Sequence, residues 1–313
     1  MKYYLAPMEG ITTYVYRRAY HTYFAPMDKY FTPFLVPHTK KGFTAKEINE
    51  ILPEHSPGMY LVPQILTNDA DGFWQTVKKL EEYGYREVNL NLGCPSKTVA
   101  SKGRGAGFLA KPDELNRFLY EIFAKTNVRI SIKTRIGRDI PEEFERILDI
   151  YNQYPLEELI IHPRVQQDYY NNRPNLDVFA DAFFKSKCPA CYNGDVFTAD
   201  DYRKMKERLP DIKAVMLGRG IIGNPELVEE LEGISGDAGR LKKFHDKILE
   251  DYVKINFGDT NVLFKMKEIW HYLGRQFEDG GKLLKKIKKA QKLKDYEEAA
   301  EELFALLYAG RGI

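Results

Sequence analysis

The sequence predicts an α/β protein, a (β/α)8 TIM barrel followed by a small C-terminal helical bundle domain. Eight short apolar runs of strand character alternate with helix-like segments as far as Leu217, the pattern of a parallel sheet with crossover helices. Beyond Glu232 the strand-like runs stop and only helical spacing of apolar residues remains. A doubly wound sheet is the main rival to this barrel, and a third observation concerns the strand ends. Nearly every predicted strand is followed by polar residues that a scaffold does not need, and the carboxyl ends of strands are where a barrel gathers its ligands.

In chain order the strands are expected at Tyr3–Ala6, Lys29–Leu35, Met59–Leu66, Glu87–Leu92, Arg129–Lys133, Leu159–His162, Ala190–Tyr192 and Ala214–Leu217. Helices are expected between them at Thr13–Tyr23, Ala45–Leu52, Ala70–Tyr83, Pro112–Lys125, Glu142–Gln153, Leu176–Lys185 and Thr198–Leu209. Asp69 and Thr198 stand where an N-cap side chain accepts from the first free backbone N–H groups. Pro112 followed by Asp113 and Glu114 suits a first turn, and Gly84 closes a helix. The linker composition of Gly233 to Gly239 sets the domains at 1–235 and 236–313. Four helices follow: Leu241–Phe257, Val262–Phe277, Leu283–Gln291 and Tyr296–Tyr308.

The stretch Asn89 to Lys97 organises the rest. Val88, Leu90 and Leu92 alternate with Asn89, Asn91 and Gly93, giving a strand one apolar and one polar face. Two amides pointing inward need partners, because an unpaired buried polar group costs about 1–3 kcal/mol; a heteroaromatic ligand would supply them. Gly93 and Pro95 end the strand and leave Cys94 just past its carboxyl end. The other strand ends contribute Pro7, Met8 and Glu9; Gln64; Lys133; His162 and Arg164; Asn193, Gly194 and Asp195; and Gly218 with Arg219. The last of these, followed by Pro225 as the start of a short helix, suits a phosphate site. Gly218 to Gly223 also spells a dinucleotide-binding glycine motif. It sits on the last strand rather than the first, and no acidic residue ends a second strand about 20 residues on, so that reading fails. Cys188 and Cys191 form a C-x-x-C that leads into a strand instead of opening a helix, which favours a structural role. Gly103 to Gly107, flanked by Lys97 and Lys102, suggests a basic lid.

Composition bounds the rest. With 43% hydrophobic and 29% charged residues the chain is expected to be soluble, without a membrane span or signal peptide. Three cysteines fit a reducing compartment, hence the cytoplasm. The net charge of +2 conceals a local excess: seven lysines fall between Lys282 and Lys294. Lys285 and Lys286 in that run are candidate contacts to a phosphate backbone, against the plainer reading of a solvated face.

Six motifs occur in the order found in the tRNA-dihydrouridine synthases: Ala6 to Gly10, Asn91 to Lys97, Lys133-Thr134-Arg135, His162-Pro163-Arg164, Asn193-Gly194-Asp195 and Gly218-Arg219-Gly220. The chain resembles that family over nearly its whole length. The resemblance implies an oxidoreductase acting on CH–CH groups, in which FMN at the barrel mouth is reduced by NADPH (or NADH) and then reduces a uracil of tRNA. It implies FMN binding by Pro7, Met8, Glu9, Gln64, Lys133, His162, Asn193, Gly194, Asp195, Gly218 and Arg219, with Cys94 as proton donor. Asn91, Lys97, Arg164, Lys285 and Lys286 are then expected to meet the RNA, in a monomer without metal. Pro163 departs from the family, many of whose members carry Gly there. A barrel flavoenzyme acting on a free small molecule, similar to dihydroorotate dehydrogenase, and an inactive RNA-binding relative remain the alternatives.

Overall fold

A computed structural model describes the chain except for residues 39–41, 126, 235–237, 256–257, 278–279 and 311–313. Its strands are β1 (Lys2–Leu5), β2 (Lys29–Phe31), β3 (Leu61–Val62), β4 (Gln64–Ile65), β5 (Glu87–Leu92), β6 (Arg129–Arg135), β7 (Leu159–His162), β8 (Ala190–Tyr192) and β9 (Ala214–Leu217). All pair in parallel, in the order β3-β2-β1-β9-β8-β7-β6-β5-β4. The two end strands are halves of one extended segment. Pro63 between them has no N–H to give the ladder, so β3 pairs with β2 while β4 pairs with β5. The Pro63 carbonyl accepts from Asn89 N–H at 2.8 Å and Leu35 bridges to Ile65, which closes the ring. Eight predicted strands thus become nine by a break at one proline. The second strand stops at Phe31 rather than Leu35 for the same reason, since Pro33 interrupts its donors.

By their contacts the described residues form two compact units. The first comprises Met1–Pro7, Met27–Asp195 and Arg203–Leu217 and holds the barrel; the second comprises Met8–Pro26, Val196–Tyr202 and Gly218–Ile313 and is helical. The boundary expected at 235/236 lies outside the described residues. No described helix is long and apolar enough to cross a membrane.

Within the barrel unit, period-two alternation sends one set of side chains inward. Tyr4, Phe31, Val62, Ile160, Cys191 and Met216 pack there as one buried cluster. At the amino ends of the strands the interior is charged. Lys29 Nζ lies 2.8 Å from Glu87 and 3.5 Å from Glu158, both carboxylates buried. Tyr4 Oη donates to Glu158 at 2.8 Å, and Tyr60 Oη donates to Glu87 at 2.7 Å. Burial pulls the Lys29 ammonium down, but Glu158 and Glu87 outweigh it and leave its proton affinity raised. Burial raises the Glu158 carboxyl, against the pull of Lys29.

In the helical unit, the helix Tyr14–Tyr23 packs on Ala238–Ile255 through Tyr16 and Phe24, whose rings meet Phe244 edge-on at 5.4 and 5.1 Å. Trp270 Nε1 donates to Tyr296 Oη at 2.7 Å, and His245 Nε2 lies 2.6 Å from the same oxygen. One phenol therefore joins three helices: Ala238–Ile255, Asp259–Leu273 and Leu293–Gly310.

The substitution Lys29→Met leaves buried Glu158 without its cation and buried Glu87 with only Arg129 at 3.9 Å, and breaking a buried pair in this way costs about 3–5 kcal/mol. A urea unfolding midpoint should fall accordingly; a loss below about 1 kcal/mol, the size of an exposed pair, would show that the cluster is not what holds the strand starts.

Candidate functional site at the barrel mouth

The polar face of β5 points into the barrel, and a chain of amides fills it. Gln64 Nε2 donates to Asn89 Oδ1 at 2.8 Å, Asn91 Nδ2 donates to Gln64 Oε1 at 2.7 Å, and Asn89 Nδ2 donates to Ser131 Oγ at 3.0 Å. The sequence suggests that a ligand would satisfy these groups. They are satisfied instead by one another, because the register sets Gln64 beside Asn89 and Asn89 beside Ser131. Asn91 Oδ1 accepts from the backbone N–H groups of Gly93 (3.1 Å) and Cys94 (3.0 Å), so its carboxamide is turned to the thiol's own loop.

Cys94 is half-buried and outside any disulfide. Its carbonyl accepts from Ala106 N–H at 3.0 Å. Here the glycine-rich stretch departs from the lid expected of it: Gly105 and Ala106 are buried within the 3-10 turn Gly105–Ala110, packed on the thiol's backbone. Gly105 has φ +55°, and a Cβ on it would stand 2.8 Å from the Cys94 carbonyl oxygen, so only glycine fits beneath the thiol. Lys97 is exposed at the start of the short helix Lys97–Ala100.

Lys133 follows Asn91 in register on β6. Burial pulls its ammonium down to about 8, and Arg135 adds to the fall, while the thiols of Cys191 and Cys94 oppose it. Among the described residues no carboxylate lies within ion-pair distance of Lys133. A partly buried cation left without a counter-ion is costly, and it suits an anionic ligand group.

The loops after β7 and β8 are joined by Arg164, which is 1% exposed. Its Nη1 donates to His162 Nε2 (2.9 Å) and Asp195 Oδ1 (3.0 Å), its Nη2 to Asp195 Oδ2 (2.5 Å) and its Nε to the Asn172 carbonyl (2.5 Å). The Arg164 N–H reaches back to the His162 carbonyl at 2.7 Å, a three-residue turn centred on Pro163 whose locked φ suits it. Asn193 Nδ2 donates to the Met216 carbonyl at 2.9 Å. Gly194 leaves no room for a side chain, since a Cβ there would overlap the Tyr192 hydroxyl. Pro7 follows β1 in the same unit.

The remaining expected site residues belong to the helical unit. Met8 N–H donates to Thr12 Oγ1 at 2.8 Å in a turn that carries the exposed Glu9. Gly218 precedes a helix at Arg219–Gly223, and a second follows at Leu227–Leu231. The short helix thus starts at the glycine motif and not at Pro225, because Asn224 ends it and accepts from Glu226 N–H at 3.2 Å across the proline. Arg219 stacks over Phe197 at 5.4 Å. Lys285 and Lys286 are exposed on the helix Gly281–Lys289; Lys286 pairs with Glu302 at 3.3 Å.

Sequence reasoning missed Arg135 as a site residue, although it stands two positions beyond Lys133 and therefore on the same face of β6. It also missed Tyr170, half-exposed with its ring 6.0 Å from His162 and 5.4 Å from the Arg135 guanidinium.

Comparison with known proteins gives a consistent answer. The profile of a family described as dihydrouridine synthase matches residues 4–305. The tRNA-dihydrouridine(16) synthase of Yersinia pestis is 26% identical over 326 residues, covering 97% of this chain and 99% of that protein. The tRNA-dihydrouridine synthase B of Pasteurella multocida is 27% identical over 232 residues, covering 74% of this chain and 69% of that protein. Among solved structures, morphinone reductase in complex with tetrahydroNAD superposes with a TM-score of 0.51 at 14% identity over 75% of this chain and 88% of that one, a likeness of fold.

The depressed Lys133 makes a prediction about stability. Its folded value, about 8, lies below its ordinary 10.5. The unfolded chain therefore binds more protons between those values, and stability rises with pH across that window. Lys133→Met should raise the urea midpoint at pH 7, and the advantage should shrink from pH 8 to 10.5. An equal midpoint at pH 7 would mean that the ammonium is well solvated.

Proposed function

Because the chain belongs to the dihydrouridine synthase family, we propose that it reduces the C5=C6 bond of particular uridines in tRNA, with FMN as the bound redox group and NADPH as reductant. The observation that carries this reading is the presence, at one barrel mouth, of a thiol and a partly buried lysine that no described carboxylate neutralises. When bound and reduced, FMN supplies a hydride to C6 of the uracil. The chain must then complete the reduction by delivering a proton to C5.

Cys94 is the group for that step. A thiol, with an ordinary pKa of about 8.5, keeps its proton at neutral pH yet releases it readily. Asn91 and Ala106 hold its peptide groups, so it meets the substrate from a fixed backbone. Lys133 stabilises negative charge on the cofactor edge, and it does so more strongly inside the barrel than in water. Gln64 and His162 stand on the same mouth and complete the proposed cofactor contacts, with Asn193, Gly194 and Asp195 beside them. Arg164 holds His162 and Asp195 from behind. Lys97 is exposed beyond the thiol and able to face the substrate backbone.

The tail lysines would hold the RNA. Leu283 and Ile287 are buried on the helix Gly281–Lys289, which turns Lys282, Lys285 and Lys289 outward along one face.

Cys94→Ala should retain flavin and its reduction by NADPH, while uridine reduction in tRNA is lost. Unchanged turnover, or loss of the flavin itself, would remove Cys94 from the role of proton donor. Replacing Lys285, Lys286, Lys288 and Lys289 by Gln should flatten the salt dependence of tRNA binding, by about 0.9 in log–log slope for each phosphate that the variant no longer neutralises. Lys285 and Lys289 should account for most of the change. An unaltered slope would reassign the tail as a structural appendage.

A further inference from the structure

Arg135 is 1% exposed, and each of its nitrogens ends on a backbone carbonyl. Nε donates to Gly93 at 3.1 Å, Nη1 to Val165 at 2.7 Å and Nη2 to Tyr169 at 2.7 Å. These carbonyls belong to two different loops, one carrying Cys94 after β5 and one following β7. A planar guanidinium sets three acceptors at fixed angles, which a flexible ammonium cannot do. Tyr169 is the one non-glycine residue with positive φ among the described residues, at φ 48° and ψ −96°. Side chains rarely adopt that conformation, and here the bond from Arg135 to its carbonyl holds it.

The clamp reaches the thiol from a side that the other contacts leave open. Asn91 takes the N–H groups of Gly93 and Cys94, and Ala106 takes the Cys94 carbonyl. The remaining group of the Gly93–Cys94 peptide is the Gly93 carbonyl, which Arg135 takes. With that bond the orientation of the peptide plane that carries Cys94 is set at both ends.

We propose that Arg135 is a positioning residue for the Cys94 thiol, fixing the peptide from which it projects and tying it to the loop after β7. The assignment rests on the reading of Cys94 as proton donor for its catalytic consequence, and on the geometry alone for its effect on the thiol.

The test uses the flavin-loaded full chain with Arg135→Ala and Arg135→Lys. Three quantities are read: the rate of Cys94 alkylation by iodoacetamide, with the modified site identified by peptide mass; kcat and KM for uridine reduction in tRNA; and flavin content. In both variants alkylation of Cys94 should become severalfold faster. The kcat should fall by roughly 10²-fold, the cost of a displacement of about 1 Å, with KM changed far less. Lysine should not rescue, since charge without the fork does not hold three carbonyls. If Arg135→Ala fails to fold, the same comparison is made in a Tyr169→Gly background, where glycine removes the conformational burden at that position. Parent-like alkylation rate and kcat in either background would overturn the proposal. Faster alkylation in a chain whose parent reduces no uridine would uphold the Arg135 clamp and defeat the proton-donor reading instead.

Discussion

The carboxamide of Asn91 is the constraint on which the mouth of this barrel depends. On one side it joins Gln64, which stands at the seam where Pro63 splits a strand and the ring closes. On the other it caps the loop that presents Cys94. Closure of the sheet and placement of the thiol are therefore one problem with one solution. A hydrophobic residue at position 91 would free the backbone of the thiol loop and leave the Gln64 amide oxygen without its donor inside the barrel, an arrangement the interior penalises.

Polarity inside the barrel is graded along the strands. At their amino ends charges of both signs meet, Lys29 against Glu87 and Glu158 with phenols from Tyr4 and Tyr60. In the middle, neutral amides complete one another. At the carboxyl ends cations predominate: Lys133, Arg135 and Arg164 share the region, with Asp195 committed to Arg164. Perturbed and uncompensated groups mark functional ends.

Much of this was legible in the sequence. Strands β5, β7, β8 and β9 and the helices Pro112–Lys125 and Leu176–Lys185 fall where the alternation places them, because each has a clear period and a clear stop. Sequence position alone picks out Gln64, Cys94, Lys133 and His162, which lie on the barrel strands or just past them. Three things could not be read. Proline breaks at Pro63 and Pro33 depend on which N–H the ladder needs, which periodicity does not encode. Partner choice among buried polar groups depends on register across strands distant in sequence, so Asn89 and Asn91 looked unsatisfied and Arg164 looked available. The packing of Gly103 to Gly107 depends on the close approach of Gly105 to the Cys94 carbonyl, and glycine content alone suits a mobile loop equally well.

The unmatched Lys133 also changes what binding of an anion means for this chain. An ammonium pulled down to about 8 is partly deprotonated in mildly alkaline solution. An anionic ligand beside it favours the charged form and raises its proton affinity again. Association therefore takes up protons from the medium in that range. The heat released on binding then includes the ionisation enthalpy of whatever buffer supplied them, so calorimetric enthalpies belong to the protein and the buffer together, while the site itself behaves as a coupled receptor for an anion and a proton.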